Sequence, residues 1–163
     1  MSTPLFRGTP IHNEPKRKNR FMLEFPSELG IEAWMVKTSG RPSVDQKSIE
    51  IPYLNTSFFV MGRYTAKPID IEFLDHIGPS TSQKVMDWQR LHSEMLTGRQ
   101  GYAASYKKDL FLYDLDPTGL PIAKWGMYQC MITSFESGSN DHADDELQTF
   151  KITIQPDIIE LLF

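Results

Sequence analysis

The stretch SIEIPYLNTSFFVMGRYTAKPIDIEFLDH, residues 48–76, reads as three strands separated by two turns. In its last part, IDIEFLD, apolar and acidic residues alternate one by one, which is the period of a half-buried strand. Its middle part, SFFVMG, is apolar on both faces. The stretch contains no Ser-His pair, Cys-x-x-Cys motif, phosphate-binding glycine loop or pair of catalytic acids. We therefore predict that the middle of the chain is pleated sheet without reactive groups.

Strands predicted by the same alternation flank this stretch on both sides. In the longest of them, AKWGMYQCMITSFES, we expect Tyr128, Cys130 and Ile132 on one face and Met131 and Phe135 on the other. The remaining predicted strands are NRFMLEF, IEAWMVKTSG, SYKKDLFLYDLD and LQTFKITIQP. With the three central strands they give a mainly β, α+β chain of about eight strands.

One segment, GPSTSQKVMDWQRLHSEMLTG, has the period of a helix instead. Ser80 is followed three residues later by Gln83, the spacing of a capping box. Gly98 stands where a helix usually stops. We predict one helix of about four turns that packs on the sheet. The residues predicted to pack are Val85, Trp88, Leu91 and Met95.

The composition is that of a folded chain with one domain. Hydrophobic residues make up 40% and charged residues 23% of the 163 residues, and these values argue against global disorder. Residues 1–18 contain three prolines and no periodicity. We predict an extended arm there, either a disordered tail or a segment that orders against a neighbouring subunit. Residues 19–163 are predicted to form a single β domain.

The charge balance argues against a nucleic-acid-binding protein. The net charge is −4 and the isoelectric point is about 5.5, whereas tight sequence-independent DNA binding requires many Lys and Arg contacts to phosphate. The basic patches, residues 16–20 and 107–108, are short and lack interleaved aromatic residues. We expect them to be solvated or to pair with an acidic neighbour.

The single cysteine, Cys130, excludes an internal disulfide framework and is predicted to be a small buried hydrophobe. No apolar run approaches the length of a membrane span, and the N-terminal residues lack the apolar core of a signal peptide. The sequence therefore predicts a soluble protein that folds in a reducing cytoplasm, with no membrane insertion.

Two acidic stretches are candidates for cation sites. DLDPTG, residues 114–119, matches the first half of a calcium loop, but Trp125 stands at the twelfth position, so a hairpin turn is predicted. NDHADDE, residues 140–146, could bind a divalent cation weakly but is more typical of a solvated loop. No nucleophile elbow, zinc-binding helix motif or phosphate loop occurs. We predict no enzyme activity, no metal and no cofactor.

Several predicted strands are apolar on both faces, among them IEAWMVK, SFFVMG, DLFLY and MYQCMITSF. In an isolated sandwich one face of each strand should be wet and polar. Surplus apolar surface usually marks subunit contacts, and open sheet edges invite pairing with another copy. The sequence therefore favours a self-assembling protein over a free-standing catalyst.

The order of these elements resembles that of the major tail tube proteins of contractile-tailed bacteriophages, over roughly residues 19–158. The likeness rests on the order, spacing and total length of five pieces. They are the NRFMLEF strand, the region TSGRPSVDQKSIEIPYLNTSFFVMGRY, the IDIEFLDH strand, the KVMDWQRLH helix and the segment from YKKDLFLYDLD to KITIQPD. The inner tube protein of type VI secretion systems is similar in fold.

This resemblance implies two packed antiparallel β-sheets, as a sandwich or barrel, with one flanking α-helix. It also implies a structural virion protein whose homohexameric rings stack into the inner tail tube and conduct the genome during DNA ejection. The expected partners are further copies of the chain and the tail sheath, baseplate, tail terminator and tape measure proteins. Genomic DNA is expected to pass without specific binding. The protein would be made and assembled in the host cytoplasm and reside in the virion tail.

Two sets of residues are candidates for the surfaces of such a tube. Glu50, Asp70 and Glu72 alternate against apolar neighbours and are predicted to face the lumen, where acidic groups repel phosphate. The alternative is an outer or inter-ring surface. A hairpin over residues 38–53 is the candidate contact between stacked rings, and the alternative is a long surface loop. Its candidate residues are Gly40, Arg41, Pro42 and Asp45.

Three other functions are compatible with the sequence. The chain could be a related protein at the baseplate end or terminus of a tube, which would differ in copy number. It could form the tube of a type VI secretion or other contractile injection system. A small β-barrel enzyme or ligand-binding module would instead be a stable monomer with a pocket.

Overall fold

The computed structural model describes residues 14–163, and the strands and helices below all lie in that range. The strands are β1 (Phe21–Glu24), β2 (Val36–Ser39), β3 (Val44–Tyr53), β4 (Thr56–Ala66), β5 (Ile69–Leu74), β6 (Lys108–Leu115), β7 (Pro121–Glu136), β8 (Thr149–Gln155) and β9 (Ile158–Leu161). The helices are α1 (Thr81–His92) and α2 (Ala103–Tyr106), and 3-10 turns cover Ser27–Leu29 and Ala33–Met35. Most of the arm predicted at residues 1–18 lies outside the described residues.

All strand pairings are antiparallel, and seven strands follow the order β1-β6-β7-β8-β5-β2 with β9 beside β7. The first half of β7 pairs with β6 and β9, and its second half pairs with β8. β7 therefore joins two antiparallel sheets. β3 and β4 form a separate two-stranded hairpin. The predicted class, mainly β with antiparallel sheets and one main helix, is confirmed, although the sheets of the described residues do not close into a barrel.

Side chains from both sheets and from α1 meet in one hydrophobic cluster. The rings of Phe73 on β5 and Phe150 on β8 stack with centroids 5.1 Å apart, and Phe25, just after β1, lies 5.8 Å from Phe73. Val85 and Trp88 of α1 complete the cluster. Alternate residues of β5 and β8 point into this cluster. The residues between them, among them Asp70, Glu72, Lys151 and Thr153, lie on the opposite, solvent-facing side of the sheet, which we call the wet face.

Helix α1 begins as predicted and ends earlier than predicted. The Ser80 hydroxyl accepts a hydrogen bond from the Gln83 backbone N–H at 3.3 Å, which caps the first turn. The helix ends at His92 and does not continue to Gly98, because Ser93 is extended with φ −155° and ψ 135°. The helix therefore has about one turn fewer than the sequence pattern predicts.

Two of the four residues predicted to pack from this helix need correction. Val85 and Trp88 are buried, but Leu91 is 42% exposed and Met95 is 82% exposed. Leu91 lies six residues after Val85, which turns it about 120° away around the helix axis. Met95 lies beyond the last helical residue, where the backbone no longer returns every fourth side chain to the same face.

Two predicted strand elements are also wrong. IEAWMVKTSG is not one strand, because the 3-10 turn Ala33–Met35 precedes the short β2. Residues 38–53 do not form a hairpin, since β2 pairs with β5 whereas β3 pairs with β4. The backbone N–H of Gly40 still donates to the carbonyl of Asp70 at 2.8 Å, so the chain follows β5 up to this residue. After Gly40 the chain leaves β5 and enters the separate hairpin of β3 and β4.

Strand β7 departs from simple alternation at Gln129, whose φ is 55°. The pairing register with β6 shifts there, which marks a bulge. Met127 and Cys130 are consequently both buried although they are three residues apart, and Tyr128 is only half-buried. A second shift before Ser134 also brings Phe135 against the core, so the predicted face is wrong for Phe135.

Cys130 is buried, as predicted. Its burial raises the pKa of the thiol to about 12, with a further contribution from the negative charges of Asp109 and Asp157. Because the thiolate is the nucleophile, we expect the folded protein to react with a disulfide reagent at pH 8 roughly a thousandfold more slowly than the unfolded chain. Absorbance of the released thiol with and without urea measures both rates. Equal rates would show that the thiol is accessible.

Candidate assembly interface

Strands β3 and β4 form a hairpin of ten and eleven residues, and within residues 14–163 they pair only with each other. Their connection is Leu54-Asn55, with Leu54 in the left-handed region at φ 53°. The outer edges of both strands present backbone N–H and C=O groups that can pair with another strand. A two-stranded hairpin is marginally stable at best in water. This hairpin is therefore the element that most needs a partner.

Apolar side chains occupy both faces of this hairpin. Cross-strand partners share a face, and the register places Ile51 opposite Phe58 and Glu50 opposite Phe59. The face that includes the first pair carries Ile49, Ile51, Tyr53, Phe58 and Val60, all of them exposed. On the other face Phe59 is 64% and Met61 is 67% exposed. Exposed apolar surface of this extent is typical of a protein–protein contact.

A bulge on β4 adds twist to the hairpin. Gln46 lies opposite Tyr64 and Ser48 lies opposite Met61, so β4 has one residue more than β3 between these pairs. A Cβ atom on Gly62 would lie 2.5 Å from the backbone oxygen of Lys47. Only glycine permits this approach of the two strands.

Hydrogen bonds fix the base of the hairpin to the body of the protein. The Tyr64 hydroxyl donates to the Ile159 carbonyl at 3.2 Å and accepts from the Ile159 N–H at 3.1 Å. Gln155 Nε2 donates to the Ala66 carbonyl at 2.8 Å. Beyond this base nearly all residues of both strands are exposed. Within residues 14–163 the hairpin is thus positioned by the body and otherwise left uncovered.

Asp70 and Glu72 lie side by side on the wet face of β5, each paired with a lysine. The Asp70 carboxylate lies 2.9 Å from Lys151 Nζ and accepts from the Thr153 hydroxyl at 2.8 Å. The hydrogen bond from Lys151 lowers the pKa of Asp70. Glu72 lies 3.1 Å from Lys37 Nζ, and this hydrogen bond lowers the pKa of Glu72. Both acids are therefore charged at neutral pH and neutralised by their neighbours.

The predicted lumen-facing set divides between two surfaces. Thr38, Glu72, Lys151 and Glu136 lie opposite one another across four strands, so the wet face carries both signs of charge. Glu50 lies on β3, in the separate hairpin. The orientation of either surface toward a lumen stays a prediction.

The four predicted ring-stacking residues are Gly40, Arg41, Pro42 and Asp45, in the connection from β2 to β3 and the start of β3. They do not form an exposed hairpin tip. Arg41 Nη2 lies 2.6 Å from Asp114 Oδ2 on β6, and Asp45 lies 3.1 Å from Lys67 Nζ. The first of these ion pairs links the connection to the body. Contact between rings through these residues stays a prediction.

The two acidic stretches have the predicted conformations. The hairpin turn between β6 and β7 is confirmed, because Asp116 accepts hydrogen bonds from the backbone N–H groups of Thr118 and Leu120, each at 2.8 Å. Residues 140–146 form an exposed loop. Within residues 14–163 no group of three His, Cys, Asp or Glu side chains is placed to hold a metal ion. No helix in that range is long and apolar enough to cross a bilayer.

Comparison with known proteins identifies the fold. No protein-family model and no curated protein matches the sequence. A chain of the anti-feeding prophage (AFP) tube terminating cap superposes with a TM-score of 0.75 at 17% identity, covering 98% of each chain. A chain of the PVC extracellular contractile injection system sheath/tube terminator has a TM-score of 0.74 at 16% identity, over 93% of this chain and 99% of that one. A chain of the PVC sheath-tube complex has a TM-score of 0.70 at 17% identity, over 90% of each.

These likenesses extend over nearly the whole described chain and not over one motif. The protein therefore has a tail-tube-like fold, the fold seen in tube and tube-terminator assemblies of contractile injection systems.

Proposed function

We propose that the chain is a non-enzymatic structural subunit whose copies close into hexameric rings, and that the rings stack into the inner tube of a contractile tail. The single observation that carries this proposal is the β3–β4 hairpin, which has exposed apolar side chains on both faces and whose two outer edges pair with no other strand of residues 14–163. A ring removes such edges because each copy covers those of its neighbour. The tail-tube-like fold supports the same assembly.

The hairpin also accounts for the strength that such an assembly needs. Permanent interfaces bury about 2,000 Å² or more and resemble a protein core in composition. Ile51, Tyr53 and Phe58 on one face and Phe59 and Met61 on the other would supply aromatic and aliphatic contacts to two neighbours. Between adjacent copies the hairpin would bury these apolar side chains. The copies would then hold together without a covalent link.

The wet face of β5 and β8 is our candidate for the lumen wall. Its carboxylates, the exposed Asp70 and the half-buried Glu72, are neutralised by lysines, and Thr153 and Ser134 lie among them. A wall of mixed charge and hydroxyl groups offers phosphate neither a basic patch to bind nor a strong repulsive field. We propose that genomic DNA of a phage passes such a wall during ejection without specific binding.

The proposed partners follow from this place in a tail. They are further copies of the chain, the surrounding sheath, the baseplate, the tail terminator and a tape measure protein that sets the length. The PVC chain that resembles this one comes from a sheath-tube complex, which supports a sheath as partner. The proposed location is the tail of a virion assembled in the host cytoplasm.

A second candidate is a ring at the end of a tube in an extracellular contractile injection system. The observation that favours it is the 98% mutual coverage with a chain of the AFP tube terminating cap. A terminal ring would occur in few copies per particle, whereas a tube subunit would occur in many. The tube of an injection system that carries protein instead of DNA would have the same ring and a different cargo.

Native mass spectrometry of the purified full-length chain tests the proposal. We expect an assembly of six copies of the 18.8 kDa chain, together with hollow rods in negative-stain micrographs if rings stack. Single rings without rods would favour the terminal ring. A monomer at every concentration tested would contradict ring formation.

A further inference from the structure

A basic cavity of about 400 Å³ lies at the end of the body where β2 leaves for the hairpin. Four cationic side chains, Lys16, Arg17, Lys18 and Arg41, line it together with the carboxylate of Asp114. Phe21, Leu112 and Ser39 complete the described lining. Cations therefore outnumber the carboxylate in a concave site, whereas the chain as a whole is acidic.

Ion pairs join part of the cavity lining, and its cations still outnumber its carboxylate. Asp114 is buried except for 13% of its side chain, and its Oδ2 lies 3.3 Å from Lys16 Nζ and 2.6 Å from Arg41 Nη2. One carboxylate thus fixes two cations. Arg17, 63% exposed, reaches Glu14 only at 3.8 Å, and Lys18 lies beside it. Among residues 14–163 Arg17 pairs only at this distance and Lys18 has no ion-pair partner, so both side chains can meet an incoming anion.

The opposite end of the same chain carries the complementary charge. The loop between β7 and β8 presents the exposed acidic side chains Asp141, Asp144, Asp145 and Glu146. Backbone N–H groups of Ala143 and Glu146 donate to Asp141 and Asp144 at 3.0 Å each, which shapes the loop into consecutive turns. Asp145 and Glu146 extend from this frame with their carboxylates exposed.

Strand β5 separates the two features along the body. At its first end Gly40 donates to Asp70, and Arg41 of the basic cavity follows immediately. At its other end the backbone N–H of Asp75 donates to the Gln148 carbonyl, next to the acidic loop. The six residues of β5 span about 20 Å. The loop of one molecule cannot reach its own cavity along this strand, but it can reach the cavity of a second molecule placed end to end.

We propose that the acidic loop of one copy seats in the basic cavity of the next copy, so that rings stack head to tail with one polarity. This inference rests on the proposed ring function, since it states how the rings contact one another. Such a contact uses two different surfaces and does not close on itself, which generates an open stack. Its charges also select the order in which ends meet, because two cavities or two loops repel each other.

Charge reversal at each surface, separately and together, tests the pairing. The cavity variant carries Arg17→Glu and Lys18→Glu, which leaves the Asp114 ion pairs intact. The loop variant carries Asp145→Lys and Glu146→Lys, which leaves the turn-forming Asp141 and Asp144 unchanged. In negative-stain micrographs we expect each variant to form rings and to shorten tubes about tenfold or more. Mixing the two variants, or combining them in one chain, should restore the tubes.

Arg90→Glu is the matched control, because Arg90 is an exposed cation on α1 that pairs only locally with Asp87 among the described residues. It should form tubes of normal length. High salt provides a second test of the contact, because the Debye length falls to about 3 Å at 1 M salt. We expect tubes of the unaltered protein to separate into rings at that salt, while the apolar ring contacts persist.

The outcomes separate this inference from the ring proposal. Tubes of normal length from both reversal variants would overturn the loop-to-cavity contact, and so would a combined variant that forms no tubes. Neither result would contradict ring formation. Unaltered protein that forms rings but never stacks would overturn it as well. Unaltered protein that forms no rings would overturn the proposed function itself.

Discussion

Replacing Ile51 and Phe58 with aspartate is expected to convert the assembled protein into folded monomers. The two side chains are cross-strand partners on the apolar face of the β3–β4 hairpin and are exposed in the single chain. Truncating a central apolar anchor of an interface costs about 2 kcal/mol or more. Two such changes raise the dissociation constant by about a thousandfold, and unpaired aspartates in an apolar contact add to this cost.

The same substitutions should leave the fold intact, because both residues lie outside the hydrophobic cluster. Mass photometry gives the assembly state, and circular dichroism with a urea titration gives the fold and its free energy of unfolding. Ile77→Asp is the matched control, since Ile77 is fully exposed but lies in the loop before α1. Assembly of the Ile51→Asp, Phe58→Asp variant at the concentrations where the unaltered protein assembles would contradict the assignment of the hairpin.

Replacing Trp88 with alanine is expected to lower the free energy of unfolding by about 3–5 kcal/mol. Trp88 of α1 is fully buried in the hydrophobic cluster, and its Nε1 donates a hydrogen bond to the Tyr106 carbonyl at 2.8 Å. The ring of His92 packs edge-on against the rings of Trp88 and Tyr106. The substitution therefore leaves a cavity between α1 and α2 and removes the donor from a carbonyl at the end of α2.

Trp34→Ala supplies the control for this prediction. Trp34 is 54% exposed and makes its contacts with Glu32 and His76 at the surface. Its removal should cost about 1 kcal/mol or less. Urea unfolding is best compared in the monomeric Ile51→Asp, Phe58→Asp background, because assembly makes apparent stability depend on concentration. Equal losses for the two tryptophans would contradict the role of Trp88 as the packing centre of α1.

The sequence predicted the elements whose pattern is local. The alternation in IDIEFLD and KITIQ gives β5 and β8, and the capping of α1 by Ser80 follows from a three-residue spacing. The apolar character of SFFVMG on both faces also anticipated the exposed hairpin. These features depend on residues close to one another along the chain, so a single sequence contains enough information to find them.

Features that depend on tertiary pairing were not predicted. The bulge at Gln129 reverses which side chains of β7 face the core, and nothing in the local sequence marks it. Gly62 lies at the end of SFFVMG, and the sequence alone does not show the bulge that it permits in β4. The lysines that neutralise Asp70 and Glu72 come from other strands.

The same limit applies to the basic cavity. Arg41 and its partner Asp114 are 73 residues apart in the sequence, and Lys16 reaches the same carboxylate from a segment without helix or strand. The sequence predicts only a solvated or salt-bridging patch at residues 16–20. Only the folded chain shows that these cations line a concave site opposite an acidic loop.

Cryo-electron microscopy of the assembled full-length chain would test most directly whether copies join through the β3–β4 hairpin. We predict a map in which a neighbouring copy covers Phe58 and Phe59 on the two faces of that hairpin and hydrogen-bonds to at least one of its free edges. Rings or particles whose hairpins project into solvent, with subunits joined through other surfaces, would contradict the account.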